Sequence, residues 1–177
     1  MELKSNELLE FIKSRKSIRS FIYEKIDNNT IKEILECGRW APSGDNSQPW
    51  KVCVVTHPTV KRMLAELSKY ENIIESAYVN FVIFLDHKKG YDPVEDVQAI
   101  GAFIENILLA VHAKGLGGVW IGEILQKKEQ VNEIFKFSKE RYELMALIAV
   151  GVIDQPMLNQ KAKERERIAL DDFIEFY

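Results

Sequence analysis

The stretch that opens at Asp92-Pro93-Val94-Glu95 constrains the fold more than any other in the chain. Asp92 suits an N-cap, Pro93 fits the first helical turn, and Glu95 puts an acid where the helix dipole favours one. Downstream, Val97, Ile100, Ala102, Phe103, Ile104, Ile107, Leu108, Leu109, Ala110 and Val111 leave only a thin polar stripe. A helix that is apolar nearly all round must be covered on more than one side. A sheet covers one face, and a second copy of the chain is the simplest cover for the other. Capping also accounts for Asp92, Glu95 and Asp96, which lack the alternating ligand pattern of a calcium loop.

Strand and helix patterns alternate around this helix. Lys51 to His57, Val79 to Asp86, Gly117 to Ile121 and Leu144 to Ile153 read as buried strands, with Phe21 and Tyr23 in an extended stretch. Asn6 to Lys13 and Lys128 to Phe137 have helical spacing, and Pro58 opens another helix. Thr30-Ile31-Lys32-Glu33 reads as a capping box that starts a helix running towards Pro42. There are no repeats and no dividing linker. The expectation is one α+β domain over residues 1–177, a mixed central sheet flanked by helices. After Pro156 the tail carries charge and then Leu170, Phe173, Ile174, Phe176 and Tyr177. So many apolar side chains on a chain end call for a docking surface.

Composition removes several functional classes. A net charge of −3 and a pI near 5.7 give no basic excess for nucleic acid or a membrane surface. Cys37 and Cys53 lack C-x-x-C spacing, and His57, His87 and His112 lack metal-ligand spacing, so no metal site is expected. No Walker loop or G-x-S-x-G elbow occurs. Met1-Glu2-Leu3-Lys4 leads into an amphipathic pattern rather than a secretory signal, and no apolar run reaches the roughly 18 residues of a membrane span. A cytoplasmic protein is expected.

Three segments carry chemistry, and each has a plain alternative. In Arg15-Lys16-Ser17-Ile18-Arg19, an extended backbone puts Arg15, Ser17 and Arg19 on one side, which suits a phosphate or a solvated basic strand. Ala41-Pro42-Ser43-Gly44-Asp45-Asn46-Ser47-Gln48-Pro49-Trp50 sets amide and hydroxyl groups between two prolines, with Gly44 able to take positive φ. It reads either as a recognition loop for a polar heteroaromatic ring or as an ordinary turn. Gly115-Leu116-Gly117-Gly118-Val119-Trp120-Ile121-Gly122-Glu123 offers close backbone approach to a flat ligand, although a helix stop at Gly115 explains part of it.

In this order and spacing, together with the basic tail before Leu170-Asp171-Asp172, these segments resemble the nitroreductase family of FMN-dependent oxidoreductases along nearly the whole chain. The resemblance implies an entwined homodimer, with residues 155–177 as an arm crossing to the partner and sites at the interface. It implies FMN as cofactor and NADH or NADPH as reductant. Hydride would pass through flavin N5 to a nitroaromatic, quinone or similar small acceptor by a ping-pong route. Arg15 and Ser17 would hold the phosphate end, with Lys16 among the cofactor-binding residues and Arg165 and Arg167 adding charge. Arg19 would lie near flavin N1 and O2. Pro42, Ser43, Gly44 and Asn46 would reach the ring from the other subunit, and the Gly122 and Glu123 main chain would approach N5. No side chain is assigned as a catalytic acid, since the cofactor carries the chemistry. Trp50 and Trp120 are read as core. The same scaffold is also compatible with a dehalogenase, a flavin-fragmenting enzyme, or a low-turnover flavin-binding sensor or store. The long insertion that many relatives place before the long helix is missing, so acceptor specificity does not carry over.

Overall fold

The computed structural model describes residues 5–160 and 166–177. Its elements, in chain order, are α1 (Ser5–Ser14), β1 (Phe21–Ile22), α2 (Asn28–Arg39), β2 (Trp50–Val55), α3 (Pro58–Ala65), α4 (Glu71–Ser76), β3 (Val79–Asp86), α5 (Pro93–Ala113), β4 (Gly117–Ile121), α6 (Lys128–Phe135), β5 (Tyr142–Ile153) and α7 (Gln155–Gln160). Short 3-10 turns cover Gly44–Asn46, Glu123–Lys127 and Leu170–Asp172.

The sheet is built on β5. β3 pairs with it from Val79↔Val150 to Asp86↔Tyr142, β4 from Gly117↔Gly151 to Ile121↔Leu147, and β1 at Phe21↔Ile153, while β2 extends the sheet beyond β3. All pairings among the described residues are antiparallel, where a mixed sheet was expected. The α+β class with flanking helices is as expected. The register shifts between Ile83 and Phe84, and Met145 is the extra residue on β5. This bulge lets Leu144 and Leu147, three positions apart, share a face.

β3 is buried along its whole length because both its faces are covered. Val79, Phe81, Ile83 and Leu85 pack with α2 and α5 through Ile34, Ile100, Phe103, Ile104 and Ile107. Val82 and Phe84 face the opposite layer, with Leu64, Ile74, Ile124 and Val131. The alternation follows from the two-residue period of a strand.

α5 behaves as its sequence demands. Asp92 caps it, accepting from the Val94 and Glu95 N–H groups at 2.9 and 3.1 Å. Ala99, Ile100, Phe103, Ile104, Ile107, Leu108 and Val111 are buried at helical spacing, whereas Val94 and Val97 are 66% and 48% exposed. One side is therefore spent on the sheet and α2, while Val94 and Val97 near the helix start lie open in the single chain. The tail's Leu170, Phe173 and Phe176 are exposed as well.

Two local readings are corrected. α2 starts earlier than the Thr30 capping box implies, because Asp27 caps it by accepting from the Asn29 and Thr30 N–H groups and from the Thr30 hydroxyl at 2.6 Å. A carboxylate two or three residues upstream outcompetes the threonine as cap. α4 has no counterpart in the sequence reading; its six residues bury only Ile74 and carry too little periodicity to detect.

Candidate functional site

The basic segment lies along the sheet edge by one well-packed residue. Ile18 is 4% exposed, and its N–H donates to the Gly118 carbonyl at 3.0 Å. Gly117 makes this approach possible, since a Cβ there would fall 2.7 Å from Ile18 Cγ2. With Ile18 turned in, Ser17 and Arg19 are exposed and Arg15 is partly so. Lys16 is exposed too. Only Ile18 of the segment is buried, Lys16 being as exposed as Ser17, and the segment forms no regular strand.

Arg19 shares a recess of about 130 Å³ with Tyr70, Ile73, Trp120, Gly122 and Glu123. Two of the three sequence motifs therefore meet there. Gly122 leaves open space: a Cβ built on it would find nothing nearer than Trp120 Nε1, at 3.9 Å. Glu123 turns its carboxylate to Ser68, whose hydroxyl donates to Oε2 at 2.7 Å and also accepts the Tyr70 N–H at 3.1 Å. It is thus the main chain at residues 122–123 that remains for a ligand. Trp120 is 43% exposed beside this recess, not core as expected, because it alternates with the buried Val119 and Ile121 on β4. Trp50 does pack inward, stacked on Phe103 at 4.9 Å.

A second, larger cleft of about 410 Å³ is lined by Ile12, Lys13, Arg15, Glu105 and Arg167. It brings the start of the basic segment to the basic tail. Arg165 lies outside the described residues. Four positions separate Arg15 from Arg19, so their Cα atoms stand at most about 14 Å apart.

The polar loop has unusual backbone. Asp45, Asn46 and Gln48 all adopt left-handed φ, at 48°, 53° and 49°. Gly44, expected to supply the positive φ, does not; it is required because a Cβ there would fall 2.7 Å from Tyr91 Cδ1 and would also meet Glu95. Tyr91 is fixed in turn by Asp96, whose two carboxylate oxygens accept its N–H at 3.1 and 3.0 Å. Ser43 ties the loop together, its Oγ accepting the Gln48 N–H at 3.1 Å and its carbonyl the Asn46 N–H at 3.0 Å. The exit is pinned by Asp86 N–H donating to the Pro49 carbonyl at 2.7 Å. The Asp86 carboxylate is held below its ordinary range by the hydrogen-bonded Arg141, whose Nε and terminal nitrogen both lie at 3.0 Å.

Asn46 shares its circumstances with Asp45, which is likewise exposed and left-handed. The Asn46 side chain is exposed and makes no hydrogen bond among the described residues, yet its backbone is in a conformation that costs most residues energy. Pro42, Ser43 and Gly44 line a surface recess with Glu95, Gln98, Ala99 and Ala102 of α5. None of the loop residues lines the Arg19 recess of the same chain. Sequence reasoning missed Tyr70, Ser68 and Glu105. None belongs to a recognisable motif, and only the fold brings Tyr70 and Glu105 to the clefts and Ser68 to Glu123.

These elements define an α+β protein with an antiparallel sheet, a recess at Arg19 beside β4 and a separate cleft lined by Lys13, Arg15, Glu105 and Arg167. The family model described as "Nitroreductase family" matches residues 12–77 and 65–152. A crystal structure of a nitroreductase from Desulfovibrio desulfuricans in complex with FMN is 34% identical, with 98% of this chain and 99% of that one covered at a TM-score of 0.88. The Bacillus subtilis protein YfhC, named as an NAD(P)H nitroreductase, is 30% identical over 90% of this chain and 92% of its own. An Archaeoglobus fulgidus protein named NADH dehydrogenase/NAD(P)H nitroreductase is 34% identical over 66% of this chain and 67% of its own. The chain belongs to the nitroreductase family.

Proposed function

We propose that the protein is an FMN-dependent oxidoreductase of the cytoplasm that works as a homodimer. It takes reducing equivalents from NADH or NADPH and delivers them to a nitroaromatic, quinone or similar acceptor by a ping-pong mechanism. The observation that carries this reading is the recess shared by Arg19, Gly122 and Glu123, with Arg15 and Arg167 at a second cleft on the same basic segment.

The residues fit FMN on two counts. The open space over Gly122 accommodates a flat ring edge against main chain, and Arg15 and Arg167 offer the planar donor forks that a phosphate takes. When bound, FMN supplies two-electron chemistry at N5, with NAD(P)H as donor and, for a quinone, hydroquinone as product after one solvent proton is taken up. Arg19 would be the residue to hold a positive charge by the N1–O2 edge, where negative charge grows on reduction. Arg15, Lys16, Arg167 and the tail's Arg165 would neutralise the phosphate, and the Ser17 hydroxyl would donate a hydrogen bond to it. The main chain of Gly122 and Glu123 would hold the edge near N5, the Glu123 carboxylate being taken up by the Ser68 hydroxyl.

The loop at Pro42, Ser43, Gly44 and Asn46 completes the site of the opposite subunit. Supporting this are the fact that none of its residues lines the Arg19 recess of its own chain, its left-handed backbone, and the exposed Asn46 amide. The exposed Val94 and Val97 of α5 and the exposed Ile168, Leu170, Phe173 and Phe176 of the tail supply apolar surface for the dimer, with the 155–177 arm crossing the seam. Each chain is then a single domain that is incomplete as a catalyst.

Anaerobic mixing with NADH and NADPH in turn tests the proposal. Loss of the yellow flavin absorbance, and its return on adding menadione, is the expected result. A bound flavin that stays oxidised with both nucleotides would leave a binding protein and overturn the enzymatic reading.

A further inference from the structure

Glu105 is a carboxylate in a cleft whose other charged lining residues are Lys13, Arg15 and Arg167. At a site for an anion, a carboxylate in direct contact with the ligand would repel it. The contact it makes resolves the conflict. Glu105 Oε1 lies 3.4 Å from Arg15 Nε, so the carboxylate is ion-paired to a guanidinium, a group with five N–H donors.

We propose that Glu105 is a positioning residue for the phosphate end of the flavin site, acting through Arg15. The inference rests on the flavin-binding reading above. Arg15 sits on an irregular stretch, where its long side chain has many rotamers. Glu105 projects from α5, whose flanking Ile104 and Leu108 are 0% and 7% exposed and fix the helix against the sheet. The Arg15 side chain is only 21% exposed, consistent with a held rather than a freely moving group. Lys13 is committed to Glu10 at 2.8 Å and gives a less directed charge. Glu105 thus orders Arg15 before the phosphate arrives and so lowers the ordering cost of binding.

The test compares FMN with riboflavin, which differ only in the phosphate. The full chain, freed of flavin by dialysis, is titrated with each by quenching of flavin fluorescence. The ratio of the two dissociation constants isolates the phosphate from the ring. Glu105→Ala is expected to lower wild-type discrimination for FMN about five- to tenfold, with riboflavin affinity unchanged. Glu105→Gln, which keeps an acceptor oxygen, is expected to stay within about twofold of wild type. If both variants raise the discrimination, Glu105 opposes the phosphate and the proposal is wrong. It is equally wrong if Glu105→Ala leaves the ratio unchanged, or if wild type binds FMN no better than riboflavin. A wild-type chain that takes up neither flavin would instead overturn the underlying reading of the site.

Discussion

Replacing Asn46 by glycine separates a residue kept for folding from one kept for a ligand. Left-handed φ costs an ordinary residue roughly 1–2 kcal/mol, and Asn less because its side chain tolerates the conformation. Asn46, at φ 53°, therefore releases up to about 1 kcal/mol of strain on becoming glycine. Against this, glycine gives the unfolded chain more freedom, which destabilises the fold by about 0.4–1 kcal/mol. The amide is exposed and makes no hydrogen bond among the described residues, so no further loss enters. The two effects nearly cancel. At this chain length 1 kcal/mol moves the melting temperature by about 2–4 °C, so the flavin-free variant is expected to melt within ~2 °C of wild type. If the amide hydrogen-bonds FMN across the subunit seam, its loss removes about 0.5–1.5 kcal/mol, a roughly two- to twelvefold weaker Kd. Scanning calorimetry reads the first quantity and fluorescence titration the second. A melting temperature lowered by ~5 °C or more, or an unchanged Kd, would refute the reasoning.

Three further outcomes are expected. Arg19→Ala should weaken FMN retention or slow its reduction by NAD(P)H, measured by flavin content and anaerobic stopped-flow absorbance; a variant normal in both would remove Arg19 from the site. Lys61→Ala should cost about 2–4 kcal/mol in urea unfolding, because the buried ammonium donates to the Glu75 and Ala77 carbonyls at 2.9 and 2.5 Å and its removal leaves both unpaired. Asp86, whose folded pKa is depressed by Arg141, contributes stability that is complete above its unfolded value near 3.9 and fades as pH falls through the folded value. Asp86→Asn should therefore be less stable than wild type at pH 7, and the gap should close as both are acidified; a gap independent of pH would contradict the pairing.

What the sequence revealed follows from how local each signal is. The α5 cap is written in Asp92 and Pro93, and its core-facing side in the spacing of Ile100, Phe103, Ile104, Ile107 and Val111, so both were legible. The strands β3 and β5 were equally plain, being apolar on both faces. Strand direction was not, because antiparallel pairing depends on how the chain returns rather than on residue type. Arg19 and Glu123 are motif residues, but their shared recess depends on Ile18 seating against Gly117, a contact between segments about a hundred positions apart. Gly44 was singled out for the wrong reason: a glycine needed for close approach to Tyr91 looks, in sequence, the same as one needed for positive φ. Trp120 was misjudged because an aromatic on an apolar strand has no local mark of which face it occupies.

The visible absorption spectrum of the freshly purified protein, followed by identification of whatever cofactor heat or acid releases, tests the central claim most directly. The account predicts a yellow protein with a flavin spectrum, about one FMN per chain by the proposed pairing of each site with one basic segment. A colourless protein that takes up no FMN when it is supplied in excess would contradict it.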